Sequence, residues 1–344
     1  MMLTVLSVAY PFAPVRPDTA GGAEHVLAML DEALVRAGHQ SLVVACEGSR
    51  AAGTLIATPR IRGPLDECAR AEGRRRHRAA ILQALALFPV DIVHMHGQDF
   101  DAYLPAEGPP VLVTLHVPRE WYAPNAFATA RPRTWFQCVS ATQRRAWPAD
   151  ARMLPEIENG VPVDELGACP RRKAGFALAL GRIAPEKGFH LAADAAALAG
   201  IPLVIAGEVY PYPEHEAYFR ERIQPRLNGH CRFAGPAGFE QKRLLLGAAR
   251  CLLAPSQVPE TSSLVAMEAL ACGTPVIAWP AGALAEIVEH GRTGYLVRSV
   301  EEMAGAIRAA GAIDPEVCRQ TARARFSAAR TIERYFELYR RLAQ

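Results

Sequence analysis

The chain has 344 residues, half of them apolar and 21% charged, with a net charge of +3. That length exceeds one ordinary core and suits two domains, and the balance is that of a soluble globular protein. So slight a basic excess, without a basic tail or an aromatic-interleaved basic stripe, argues against nucleic acid as a partner.

The opening "MMLTVLSVAYPFAP" has no basic n-region, and its apolar run stops at a proline, so it reads as a first strand and not as a signal peptide. "LTVLSVA" (3–9) is followed by a proline-marked loop and a helix that opens at Gly21–Gly22 and ends at "RAGH". "SLVVAC", "DIVHMH", "VLVTLH" and "FQCVS" come next, separated by segments rich in Ala, Leu and Arg. These runs are nearly all apolar and do not alternate, the pattern of parallel strands covered on both faces. One intervening segment, "RAEGRRRHRAAILQALALF" (70–88), is a basic start to an apolar helix. It suits either a solvated helix end or contact with anionic lipid or an acidic acceptor.

The Gly/Pro-rich polar stretch "NGVPVDELGACPRRKAG" (159–175) is the weakest point of continuity, and a linker is expected there. Beyond it the plan repeats with "FALALG", "IPLVIAG", "CRFAG", "RCLLAPS", "TPVIA" and "GYLV". The chain ends on "ARARFSAARTIERYFELYRRLAQ", read as one long amphipathic helix with no strand after it. Two doubly wound α/β domains follow, 1–165 with a terminal helix 325–344, and 170–322. Eight cysteines without a C-x-x-C pair read as reduced, buried thiols, and no stretch approaches the ~20 apolar residues of a membrane span. The cytoplasm is the expected location, with contact at the inner face of the membrane left open by the basic segment.

In open parallel sheets, ligands sit beyond the carboxyl ends of the strands, so residues just after strands carry the chemistry. Gly21 and Gly22 open a helix after the first strand, where backbone N–H groups and the helix dipole suit an anion. Neither G-x-G-x-x-G nor GK[ST] is present, which speaks against a dehydrogenase or a P-loop NTPase. In "LGRIAPEKG", Arg182 leaves a strand directly and Lys187 follows five residues later; a forked guanidinium beside a point charge suits a diphosphate. In "PETSSLVAMEALACGTPVIA" (259–278), Glu260 and Glu268 stand eight positions apart, about 80° off register on one helix. They serve one ligand only if Glu260 precedes a helix that begins at Ser262–Ser263 and Glu268 lies two turns inside it. A carboxylate among Val265, Ala266, Met267, Ala269 and Leu270 is costly to bury without a partner. His94 and His96 have H-x-H spacing at a strand end, but no third ligand stands near, so zinc is not expected. His116 also ends a strand.

Together, "GGAEHV", "ENGVPVD", "LGRIAPEKG", "RFAG", "PSQVPETSSLVAMEALACGTPVIA" and "GRTGYLV" resemble, in order, the retaining nucleotide-sugar glycosyltransferases of GT-B fold, family four. The resemblance implies two facing Rossmann-like domains with a deep cleft and a final helix crossing back to the first. It implies that Arg182 and Lys187 hold the donor diphosphate, Glu268 the ribose hydroxyls, and Glu260 the hydroxyls of the transferred sugar. Amides of Ser263 and Leu264 would reach that sugar or its phosphate. The loop at Gly21–Gly22 would close over donor phosphate and acceptor, His116 would lie near the sugar, and Gly235–Pro236 near the base. The implied activity is retaining transfer of a sugar from a UDP- or GDP-sugar to a hydroxyl acceptor (glycan, lipid-linked or natural product), with no cofactor and no metal. A nucleotide-sugar epimerase on the same fold, or a catalytically silent nucleotide-sugar-binding partner protein, stays open as an alternative. Many members carry an aromatic residue and Gly where this chain has Ser262 and Ser263, so the sugar itself is not carried over.

Overall fold

The computed structural model describes residues 2–16, 21–61, 63, 65–168 and 172–344. It divides into two units, Met1–Glu158 with Thr331–Gln344, and Asn159–Arg330. The first holds strands β1 (Thr4–Val8), β2 (Gln40–Cys46), β3 (Thr54–Thr58), β4 (Ile92–Met95), β5 (Val111–Leu115), β6 (Thr134–Cys138) and β7 (Met153–Leu154). They form one parallel sheet in the order β3-β2-β1-β4-β5-β6-β7. The second unit holds β8 (Ala177–Leu180), β9 (Leu203–Ala206), β10 (Cys231–Phe233), β11 (Cys251–Ala254), β12 (Val276–Ala278) and β13 (Gly294–Leu296). Its parallel sheet runs β10-β9-β8-β11-β12-β13. Two such sheets with helices between their strands make the chain an α/β protein of two Rossmann-like domains.

Sequence dictates this through the two-residue alternation of a strand whose faces are both covered. In the first unit Leu6, Val8, Val93 and Met95 face one core, shared with Ile81 and Ala84 of the helix Glu67–Leu87. Val5, Ile92 and Leu112 face the other, shared with Val26 and Leu30 of the helix Gly22–Arg36. Tyr335, Leu338, Tyr339 and Leu342, three and four apart on the C-terminal helix Ala328–Leu342, complete that second core. The last helix therefore belongs to the unit that opens the chain. In each sheet the strand order reverses once, between β1 and β4 and between β8 and β11. Loops leaving these neighbours diverge and open a crevice at the carboxyl end of the sheet.

The structure departs from the sequence reading in four places. Residues 159–165 pack with the second unit, because the Val161 N–H donates to the Phe326 carbonyl (2.8 Å) and Val163 and Leu166 enter its core. The terminal segment is two helices, Pro315–Arg325 and Ala328–Leu342, broken where Phe326 turns into that core and Ala328 N–H bonds back to Val161 (2.9 Å). The helix expected from Ser262 starts at Leu264, with Ser263 as its cap. Strand β3, at one edge of the first sheet, buries only its last residue, and β7, at the other edge, is two residues long, so neither stood out.

In the basic segment, Arg75 and Arg76 both bond Glu72 (2.8 and 2.6 Å) and Arg74 bonds Asp99 (2.9 Å), so three of its cations already face acids of the same unit. No helix among the described residues is long and apolar enough to cross a membrane. Cys169 lies outside the described residues; of the other seven cysteines only Cys68 is exposed.

Candidate active site

At the reversal point of the second sheet, three adjacent strands deliver three loops. After β8 the chain makes a tight turn, Pro185–Lys187, and closes on Gly188. Gly188 has φ +65°, and a Cβ there would stand 2.2 Å from the Pro255 carbonyl oxygen of the loop after β11. Only glycine lets these loops touch. The contact is sealed by a hydrogen bond from Gln257 N–H to the Glu186 carbonyl (2.7 Å). The loop after β12 is joined in the same way. Glu260 N–H donates to Ala281 O (3.3 Å) and Ala283 N–H donates to Glu260 O (2.8 Å). Gly282, at φ +63°, would place a Cβ 2.2 Å from the Glu260 carbonyl oxygen.

This framework brings Lys187 and Glu260, 73 residues apart, into a 2.6 Å ion pair. Ser256 Oγ donates to the same Glu260 oxygen at 2.8 Å, so the carboxylate is held from two sides. Arg182 donates to Glu186 at 2.8 Å, and its guanidinium lies 6.0 Å from the Tyr210 ring centroid. Its Nε is buried and has no partner among the described residues. Two cations and two carboxylates thus meet at the crevice, each cation oriented by an acid before any ligand arrives. A phosphate oxygen needs donors held in this way, and Lys187 has three N–H bonds, of which Glu260 takes one.

Glu268 is the fifth residue of the helix Leu264–Ala271, one turn inside it, and only 1% exposed. Its Oε1 is paired with Lys242 of the helix Phe239–Ala248, a partner the sequence did not suggest. Its Oε2 is buried with no partner among the described residues, and so is Ser262 Oγ between the two glutamates. A buried carboxylate oxygen without a donor is costly and suits a ligand hydroxyl. Ser263 and Leu264 form the helix start, where the first N–H groups have no partner within the helix. Gly235, at φ +73°, and Pro236 follow the edge strand β10, and Gly235 O accepts from Gly207 N–H at 2.8 Å.

The remaining predicted residues belong to the first unit. Gly21 caps the helix Gly22–Arg36, and a Cβ on it would fall 1.9 Å from Glu24 Oε2, so the helix start already has a carboxylate of its own beside it. Residues 17–20 of that loop lie outside the described residues. His96 and His116 follow β4 and β5, and His96 Nδ1 lies 3.0 Å from His116 Nε2 with the rings stacked. Burial holds both imidazoles well below the ordinary histidine range. His94 is spent elsewhere: its ring nitrogens meet Tyr339 Oη and Thr114 Oγ1, both at 2.7 Å. The H-x-H pair is therefore a pair of core histidines. Lys242, Gly188 and Gly282 escaped the sequence reading because each meets a residue distant in the chain, and Ser256 and Glu186, which bond Glu260 and Arg182 four residues away, escaped it too.

A family model described as Glycosyl transferases group 1 matches residues 170–325, and one described as Glycosyltransferase Family 4 matches residues 20–159. Over 259 residues the chain is 27% identical to a phosphatidyl-myo-inositol mannosyltransferase of Mycobacterium leprae, covering 67% of this chain and 66% of that protein. Matches to other curated relatives span as little as 32% of the relative's length. The crystal structure of AviGT4, a glycosyltransferase involved in avilamycin A biosynthesis, is 27% identical with a TM-score of 0.71, covering 99% of this chain and 98% of that one. Anabaena HepE in complex with UDP-glucose shares the fold, with TM-score 0.75 at 19% identity over 98% and 99% of the two chains.

Proposed function

From the premise that the chain belongs to the GT-B glycosyltransferases of family four, we propose that it moves a sugar, with retention, from a UDP- or GDP-sugar to a hydroxyl acceptor. The observation that carries this reading is the pair of ion pairs on the loops at the β8/β11 reversal point, Arg182 with Glu186 and Lys187 with Glu260. Arg182 and Lys187 take the donor diphosphate, whose charge grows as it leaves. Preorganised cations of this kind are worth about 10²–10³ in rate each. Glu260, steadied by Lys187 and Ser256, accepts hydrogen bonds from hydroxyls of the transferred sugar. Glu268 accepts from the ribose through the oxygen that has no donor. Ser263 and Leu264 amides meet the sugar or its phosphate, and the loop at Gly235–Pro236 lies toward the base. For the first unit, the same reading gives Gly21 and Gly22 a role toward donor phosphate and acceptor, and His116 one toward the transferred sugar.

In the transfer step the bond from anomeric carbon to phosphate oxygen breaks, and its electron pair goes to the diphosphate. The acceptor hydroxyl forms the new bond on the same face and gives its proton to a departing phosphate oxygen. A neutral His116 serves this by hydrogen bonding alone. No cofactor and no metal is assigned. Relatives that include a mannosyltransferase acting on phosphatidyl-myo-inositol support a polyol or lipid-linked acceptor, but a glycan or natural product fits the same chemistry. Incubation with UDP-, GDP- and ADP-sugars and simple polyols, followed by proton NMR of the product, tests the reading. Retained configuration supports it; an inverted product, an epimerised free sugar or no transfer with any donor contradicts it.

A further inference from the structure

We propose that Tyr210 is a positioning residue for Arg182: its ring holds the guanidinium in the place and plane from which it takes the donor diphosphate. The inference rests on the reading of Arg182 as a diphosphate ligand. Arg182 needs such a support. Its long side chain is 32% exposed, and among the described residues it makes one hydrogen bond, from Nη2 to Glu186 at 2.8 Å. Its Nε is buried and bonds nothing there. A guanidinium held by one nitrogen can still swing about that contact, whereas two-pronged capture of phosphate oxygens demands a set plane.

What sets the plane comes from the neighbouring strand. β8 and β9 end in contact: a Cβ on Gly207 would stand 1.7 Å from the Gly181 carbonyl oxygen, and Ile183 N–H donates to Glu208 O at 2.9 Å. The backbone on either side of Arg182 is thereby laid along Gly207 and Glu208, with Tyr210 just beyond. The guanidinium lies over the Tyr210 ring, 6.0 Å from its centroid, where the negative face of the ring attracts a cation. Tyr210 is itself held stiffly. Pro211 and Pro213 restrict the backbone around Tyr212, whose N–H donates to Tyr210 O at 2.7 Å and whose carbonyl accepts from His215 N–H at 3.0 Å. The His215 ring stacks on Tyr210 at 6.2 Å and 28°, and Tyr212 stands edge-on to His215 at 5.2 Å. Burial first, and Arg182 second, lower the His215 pKa, so at neutral pH the stack sets no second positive charge against the guanidinium. A stiff aromatic step beside a long cation spares the phosphate the cost of ordering it.

The test pairs Tyr210→Leu, which removes the ring, with Tyr210→Phe, which keeps it. In NMR spectra of the nitrogen-15-labelled full chain without ligand, the Arg182 Nε–H signal is identified by its loss in Arg182→Lys. It should shift in Tyr210→Leu and hold its wild-type position in Tyr210→Phe. Affinity for the nucleoside diphosphate that binds the wild type, UDP or GDP, should fall about fivefold in Tyr210→Leu, the worth of one cation–π contact, and return in Tyr210→Phe. The matching monophosphate, without the second phosphate group, should bind all three proteins alike. An Arg182 signal unmoved by Tyr210→Leu, or an undiminished diphosphate affinity beside a moved signal, overturns the proposal. So does an equal loss of monophosphate affinity with a lowered melting point, the mark of a collapsed loop. If neither diphosphate binds the wild type, the donor reading fails instead, and the Arg182 signal still decides the Tyr210 contact.

Discussion

Gly282→Ala tests whether the site depends on the backbone that carries Glu260. Gly282 sits at φ +63°, where a side chain costs about 1–2 kcal/mol. Its new Cβ would also stand 2.2 Å from the oxygen and 2.6 Å from the nitrogen of Glu260, so the Glu260 backbone must retreat. That retreat breaks the hydrogen bonds linking Glu260 to Ala281 and Ala283, each worth about 1 kcal/mol. The sum is ~3 kcal/mol, or roughly 6–12 °C in the melting temperature of a unit this size. Displacement of the carboxylate by an ångström costs about a further 100-fold in transfer rate. Two controls divide the effect. Gly200→Ala, at φ +69° with no atom within 4 Å of its Cβ, pays the strain without the clash. Gly175→Ala, with neither, should be neutral. Differential scanning calorimetry and steady-state transfer assays read both quantities. If Gly282→Ala melts like Gly200→Ala and keeps full activity, the backbone coupling of the β11 and β12 loops to catalysis is refuted.

Glu268→Gln keeps the shape of the buried side chain but strips Lys242 of its charge partner, and the weakened ribose contact should raise donor KM about tenfold while kcat stays near wild type. An equal fall in kcat would place Glu268 in the chemistry instead. Acid should weaken the first unit: His77, held at about 4, and His94 and His96, held well below 6.5, stay neutral in the fold, whereas the unfolded chain binds protons below 6.5. Stability is then complete above that value and falls as pH drops through it, by up to ~1.4 kcal/mol per pH unit for each histidine. Thermal unfolding from pH 7.5 to 5 checks this, and a flat melting temperature contradicts it. Transfer measured after dialysis against EDTA should match the untreated enzyme; restoration only by added divalent cation would assign a metal to the donor site.

The sheets were legible because a strand covered on both faces is apolar almost throughout, as "LVVA" (42–45) and "LVIA" (203–206) are. The site was legible at Arg182, Lys187, Glu260 and Glu268, whose types are costly where the pattern put them. Register alone separated Glu260 in the loop from Glu268 in the helix. Their partners were not legible. Lys242 meets Glu268 across 26 residues and Lys187 meets Glu260 across 73, and only the strand order brings those segments together. The break at Phe326 was hidden for the same reason, since its cause is Val161, far back in the chain. The H-x-H spacing of His94 and His96 is metal-like, and zinc was set aside only for want of a third ligand, since spacing says nothing of the tyrosines on the final helix that occupy the neighbouring core.

The most direct measurement is a thermal-shift titration of the wild type and Lys187→Ala with UDP-, GDP- and ADP-sugars. A donor that binds only the folded state raises the melting point, by about 2.7 kcal/mol of stability at a hundredfold excess over its Kd. The account predicts that a UDP- or GDP-sugar shifts the wild type and that Lys187→Ala, equally folded, loses the shift. No shift with any nucleotide sugar, or an undiminished shift in Lys187→Ala, would contradict it.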